Sequence, residues 1–284
     1  MQKVKLKIII FFLRQYLNGL TAFSFEKGGE KAVNIFSKPR GGRLNNDQRA
    51  FLDTSEKTVL SYKGMPIQVY FWQGEKPPVL LVHGWESNAA RWKTLIQVLK
   101  KKKYAIVALD APAHGDSGST YFNPILYAQM MNEVVKMYQP EALVGHSVGG
   151  YATTYFLKNF EHPSVSKVIL LASTSDNSVI FDKFLNFLGV NQRVHEAFYH
   201  HFQTKFDIKL NDLIAANYVK SFNEDALIIH DKDDDIVPFH NGFNIHKNWK
   251  NSELMETEGL GHRLRDKNVD KAVVEFLGQS VKIA

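Results

Sequence analysis

Short uninterrupted apolar runs alternate along this chain with stretches whose apolar positions recur every three or four residues. The runs PVLLVHG (78–84), YAIVALD (104–110), EALVGHS (141–147), KVILLAS (167–173), DALIIHD (225–231) and SELMET (252–257) predict strands. TVLSY and IQVYFW, joined by KGMP, predict an earlier antiparallel pair. Helical periodicity marks 88–101, Pro124–Tyr138, 149–160, 238–249 and 267–277. Strands apolar throughout must bury both faces, so the pattern predicts an α/β fold on a mostly parallel, doubly wound sheet.

Two regions break this rhythm. Between KVILLAS and DALIIHD lie about fifty residues without a strand pattern but rich in aromatics, among them Phe181, Phe184, Phe198 and Phe202. They predict a small helical cap over an apolar cleft, with those four rings as pocket candidates. At the start, Lys3, Lys7, Arg14 and Asn18 line one helical stripe, and Leu6, Ile9, Ile10, Leu13, Leu17 and Leu20 share another face. The expected organisation is an amphipathic helix and irregular connection over 1–50, a core of 51–173 and 225–284, and a cap over 174–224.

Composition narrows the chemistry. The 284 residues include no cysteine, which excludes disulfides, thiolate metal sites and cysteine nucleophiles and fits a cytoplasmic setting. The net charge is +6, yet Lys100–Lys103 close a helix, where cations suit the dipole, and no basic motif is interleaved with aromatics. Nucleic acid is therefore not an expected partner. The apolar run KIIIFFLR is too short to span a bilayer, but residues 1–20 leave room for weak contact with a membrane surface.

The candidate chemistry centres on LVGHSVGG, where Ser147 stands between Gly145 and Gly149 with a strand before it and a helix after. A serine raised above a sheet edge needs such a turn, and its crowding suits glycine on both sides. The following helix would aim its N-terminus at a developing oxyanion. A hydroxyl needs a base, and the base an orienting acid, in the order Ser, acid, His. His240 and His246 lie on a helix leading away, whereas His262 sits in the glycine-flexed loop EGLGHR directly after a strand. Asp231, Asp233, Asp234 and Asp235 in HDKDDDIVP are all candidate acids by position. Their alternation resembles a calcium loop, but Ile236 and Gly242 stand where glycine and glutamate are needed. HEAFYH (195–200) has its histidines five apart rather than four, so it is not a zinc-protease pair. No metal or organic cofactor is implied.

Taken together, these residues resemble the α/β-hydrolase superfamily over roughly 57–280, and within it bacterial esterase-like serine hydrolases. HDKDDDIVP is similar to the family's H-G-x-x-D-x-x-V-P stretch, which implies that Asp234 is the acid. LVHGW resembles its oxyanion turn and implies that the backbone N–H groups of Trp85 and Val148 bind the oxyanion, with His83, Gly84 and His146 beside the pocket. LDAPAHGDSG resembles a third family segment, in which Ala113 replaces a glycine, a change tolerable where φ stays negative. The expectation is a serine hydrolase that cleaves small or medium apolar carboxylic esters with Ser147, His262 and Asp234. Thioesterase, lipase and peptidase chemistry use the same three residues. Ligand binding without catalysis on the same scaffold is the expectation from a different class.

Overall fold

A computed structural model describes residues 2–280. The chain divides into two compact units, one of residues 39–175 and 215–284, the other of 1–38 and 176–214.

The larger unit is built on eight strands: β1 (Glu56–Tyr62), β2 (Met65–Trp72), β3 (Lys76–Val82), β4 (Tyr104–Leu109), β5 (Ala142–His146), β6 (Lys167–Leu171), β7 (Asp225–Asp231) and β8 (Ser252–Thr257), in the order β1-β2-β4-β3-β5-β6-β7-β8. β1 and β2 are antiparallel, joined by the two-residue turn Lys63-Gly64 with φ 48° and 77°. Positive φ at both positions gives the turn a twist that matches the strands. β2 is antiparallel to β4, and every pairing from β4 onward is parallel.

Alternation along each strand splits the core into two layers. Leu80, Val82, Leu143, Val168 and Ile228 face α5 (Pro124–Tyr138) and α6 (Val148–Asn159). Val79, Leu81, Val144, Ile169 and Ile229 face the opposite layer, with residues of α4 (Lys93–Lys101) and α11 (Lys267–Gly278). Covering both faces is why the runs are apolar throughout. The remaining helices of this unit are α3 (Asn46–Leu52), α9 (Ala215–Tyr218) and α10 (His240–Asn248).

The smaller unit packs α1 (Gln2–Phe23) and α2 (Phe25–Phe36) with α7 (Ser178–Leu188) and α8 (Gln192–Phe206). The expected boundaries therefore shift. Residues 215–224 belong with the sheet, where the Tyr218 hydroxyl donates to that of Tyr151 (3.0 Å). The expected irregular connection up to residue 50 is largely helical. Gly28 and Gly29, within that expected connection, are contact points between helices. A Cβ on Gly28 would lie 2.1 Å from Thr21 Oγ1, and one on Gly29 2.1 Å from the Ala197 carbonyl oxygen. Only glycine lets the helices approach this closely. Asn45 and Gln48 form a capping box that starts α3 in a stretch whose polarity suggested a loop.

The four phenylalanines expected in a pocket are the core of this unit. Phe181, Phe198 and Phe202 are fully buried, and Phe36 meets Phe181, Phe184 and Phe198 at ring-centroid distances of 5.1 to 5.7 Å. A small helical unit needs its largest rings to bury its own apolar area.

Candidate active site

Three strands deliver the chemistry at their C-terminal ends, where open parallel sheets place their sites. β5 stops at His146 and α6 starts at Val148, so Ser147 alone turns the chain. It does so at φ 55° and ψ −126°, a strained conformation for a residue with a side chain. Its N–H donates to the Leu171 carbonyl (2.9 Å), which fixes the turn against β6. The flanking glycines are set by crowding. A Cβ on Gly145 would lie 2.6 Å from Gly150 Cα, and one on Gly149 2.4 Å from the His83 carbonyl oxygen. Backbone cannot give way as a side-chain tip can. Gly149→Ala should therefore destabilise the protein by about 3 kcal/mol, a melting point lower by roughly 6–12 °C in a thermal scan.

His262 lies in a short 3-10 turn, Gly261–Arg263, that follows β8. Gly259 and Gly261 take φ 78° and 59°, so the loop can fold back over the sheet edge. The imidazole Nδ1–H donates to Asp234 Oδ2 at 2.8 Å, which leaves Nε2 to accept from the Ser147 hydroxyl at 3.0 Å. Ser147 is half-buried and reachable; the Asp234 carboxylate is fully enclosed. Its Oδ1 accepts from the Ile236 and Val237 N–H groups. Burial alone would raise the Asp234 pKa. Hydrogen bonds from His230, His262 and the Val237 N–H outweigh it and hold the group well below the ordinary carboxylate range. It is a fixed negative charge behind the imidazole.

The other acids of HDKDDDIVP have different work. Asp231 accepts from the Thr257 hydroxyl (2.6 Å) and from the Asp233 and Leu260 N–H groups (both 3.0 Å). Asp233 accepts from the Gly259 N–H (3.0 Å). Both thus brace the loop that carries His262, while Asp235 is exposed. Among the described residues no cluster of three metal-ligating side chains occurs.

The two chain segments that carry the Trp85 and Val148 N–H groups border Ser147. Val148 is the first residue of α6, where N–H groups have no acceptor within the helix. A Cβ on Gly84 would lie 3.1 Å from Ser147 Cβ, so the backbone beside Trp85 touches the serine. The Trp85 ring, 37% exposed, rests on His114 and Phe122.

His83 and His146, expected beside the pocket, are buried struts. His83 Nδ1–H donates to the Gly84 carbonyl (2.7 Å), and its Nε2 accepts from the Ala111 N–H (2.9 Å). His146 Nε2–H donates to the His262 carbonyl (2.9 Å), tying the loop of His262 to the turn of Ser147. His114, unremarked in the sequence, accepts from the Glu86 N–H (3.0 Å) and so holds the residue after Trp85. Burial is the main cause that lowers His83 and His114 to about 4 and holds His146 well below the usual histidine range. The unfolded chain protonates histidine near pH 6.5. Stability from these neutral rings is thus complete above that pH and drains away as pH falls toward 4. Between pH 7 and pH 4.5, His83 and His114 together should remove about 5 kcal/mol. That is enough to shift a urea midpoint greatly, and a midpoint unchanged over this interval would contradict the assignment.

Ala113, the substitute for a glycine, sits at φ 63° rather than avoiding positive φ. The chain accepts about 1 kcal/mol of strain there, and the Ala113 N–H donates to the Gly118 carbonyl (2.7 Å).

Residues 77–209 match the model of the alpha/beta hydrolase fold family. The chain is 24% identical over 261 residues to the uncharacterized hydrolase YugF of Bacillus subtilis, covering 74% of this chain and 94% of that one. It is 22% identical over 274 residues to the bifunctional esterase/perhydrolase DCH of Acinetobacter calcoaceticus, covering 77% and 98%. The solved esterase EaEST from Exiguobacterium antarcticum superimposes with a TM-score of 0.61 at 23% identity, over 78% of this chain and all of the other. The strand order, the crossing from β5 to α6 and these similarities agree on an alpha/beta hydrolase fold.

Proposed function

We propose that this hydrolase cleaves carboxylic esters of small or medium apolar substrates through an acyl-enzyme on Ser147. The observation that carries the reading is the unbroken hydrogen-bond chain from the Ser147 hydroxyl through His262 to Asp234, at 3.0 and 2.8 Å. That chain ends on a carboxylate held ionised, and it begins at the N-terminus of a helix.

Ser147 Oγ bonds to the acyl carbon as its proton passes to His262 Nε2. The carbonyl oxygen becomes an oxyanion, held by the Trp85 and Val148 N–H groups and by the positive end of α6. The intermediate collapses, the C–O bond to the alcohol breaks, and His262 returns its proton to the leaving oxygen. Water then gives its proton to His262 and attacks the acyl carbon; the bond to Ser147 Oγ breaks, His262 returns the proton to Oγ, and the acid is released. Asp234 stays ionised throughout and stabilises the imidazolium. The exposed Trp85 ring beside the turn supports an apolar rather than a charged group on the substrate. The names of two relatives, an esterase/perhydrolase and an esterase, support ester chemistry.

Rapid mixing with p-nitrophenyl esters from acetyl to octanoyl tests this. The expected trace is a burst of about one equivalent of p-nitrophenol before the steady rate, with an acylated Ser147 peptide recovered after acid quenching. Hydrolysis no faster than buffer across the whole series would overturn it.

A further inference from the structure

Helix α1 is apolar on two sides, and one of them, with Ile10, Leu13, Leu17 and Leu20, is buried or half-buried. Leu17 and Thr21 are its fully buried residues, and the side turned toward its own unit also carries Arg14 and Asn18. Arg14 Nε donates to the Leu188 carbonyl (2.9 Å), and Asn18 Oδ1 accepts from the Asn191 N–H (3.0 Å). The opposite side presents Ile8, Phe12, Tyr16 and Phe23, spaced at helical intervals and exposed by 51%, 65%, 50% and 88%. An outward face this apolar and aromatic on a continuous helix marks a contact surface.

Charge decides what it contacts. From the start of the chain to Phe25 there are four cations, Lys3, Lys5, Lys7 and Arg14, and no acidic residue. Lys5 and Lys7 are exposed, and Lys31 of α2 stands 5.8 Å from the Tyr16 ring. Two such faces repel each other, which disfavours a second copy; an anionic surface attracts them. No helix among the described residues is long and apolar enough to cross a membrane.

We propose that α1 lies in the plane of an anionic lipid surface. Ile8, Phe12, Tyr16 and Phe23 enter the boundary between headgroups and acyl chains, and Lys5, on the same side, reaches the phosphates along its own stem. This goes beyond the hydrolase reading and does not depend on it.

Co-sedimentation with vesicles tests the proposal, using phosphatidylcholine alone and phosphatidylcholine mixed with phosphatidylglycerol. The full chain should pellet with the mixed vesicles, less so at high salt and little with phosphatidylcholine alone. Ile8→Ser with Phe12→Ser should weaken binding at least about tenfold, and Lys5→Gln by about fivefold. All these side chains are exposed, so melting temperatures should match wild type. Three results would each overturn it: wild type left in the supernatant, binding indifferent to phosphatidylglycerol, or binding untouched by the serine pair. A dimer in light scattering that the serine pair dissolves would instead assign the face to a second copy.

Discussion

Ser147→Ala is expected to lower kcat/KM for a soluble ester about 10⁵-fold, and His262→Ala should cost nearly as much. The two losses should not add. In the proposed mechanism Oγ is a weak nucleophile until Nε2, 3.0 Å away, takes its proton. Once either member is gone the other has nothing to act on. Ser147→Ala with His262→Ala should therefore fall within about tenfold of either single variant, with the residual rate supplied by binding and the oxyanion donors. Steady-state kinetics on the three variants, freed of contaminating wild type, checks this. Losses that multiply to about 10¹⁰ would mean the residues act independently.

Asp234→Asn is the second large effect, a fall in kcat of about 10³–10⁴ with little change in KM. The amide keeps the shape but removes the charge that stabilises an imidazolium. It also presents a donor to Nδ1 and so favours the tautomer that points the wrong nitrogen at Ser147. The neighbours provide the control. Asp233→Asn and Asp235→Asn should leave kcat within about threefold, since neither carboxylate contacts His262 among the described hydrogen bonds and Asp235 is exposed. Asp231→Asn should act on stability. Asp231 accepts three hydrogen bonds that shape the loop of His262. Burial would raise its pKa, but those bonds hold it below the usual range. An Asp235→Asn variant as impaired as Asp234→Asn would show that the acid had been misassigned.

Much of the sheet was legible because its strands are buried on both faces, which leaves a signal no loop imitates: KVILL and DALIIHD have no exposed position. The serine turn was legible because crowding between β5, α6 and β3 leaves room only for glycine beside it. The choice among four aspartates was not readable from spacing, since adjacent residues of one turn point in different directions; it came from resemblance, and the geometry brings Asp234 alone to His262. Other features were hidden for identifiable reasons. Gly28 and Gly29 read as part of an irregular connection until their helix neighbours are known. The phenylalanines of α7 and α8 carry the same pattern whether they line a cavity or fill a core, and Phe36, distant in sequence, makes them a core. For α1, periodicity identified the apolar side of Ile10, Leu13, Leu17 and Leu20, which is buried or half-buried, but did not single out the exposed stripe of Ile8, Phe12, Tyr16 and Phe23. Buried histidines likewise read as site residues, although His83 and His146 serve the backbone.

The most direct measurement of the central claim is labelling with a fluorophosphonate, followed by peptide mapping of the modified residue. The account expects stoichiometric labelling confined to Ser147, abolished in Ser147→Ala and reduced to near background in His262→Ala. Wild type that stays unlabelled while a control esterase reacts, or label found on any other serine, would contradict it.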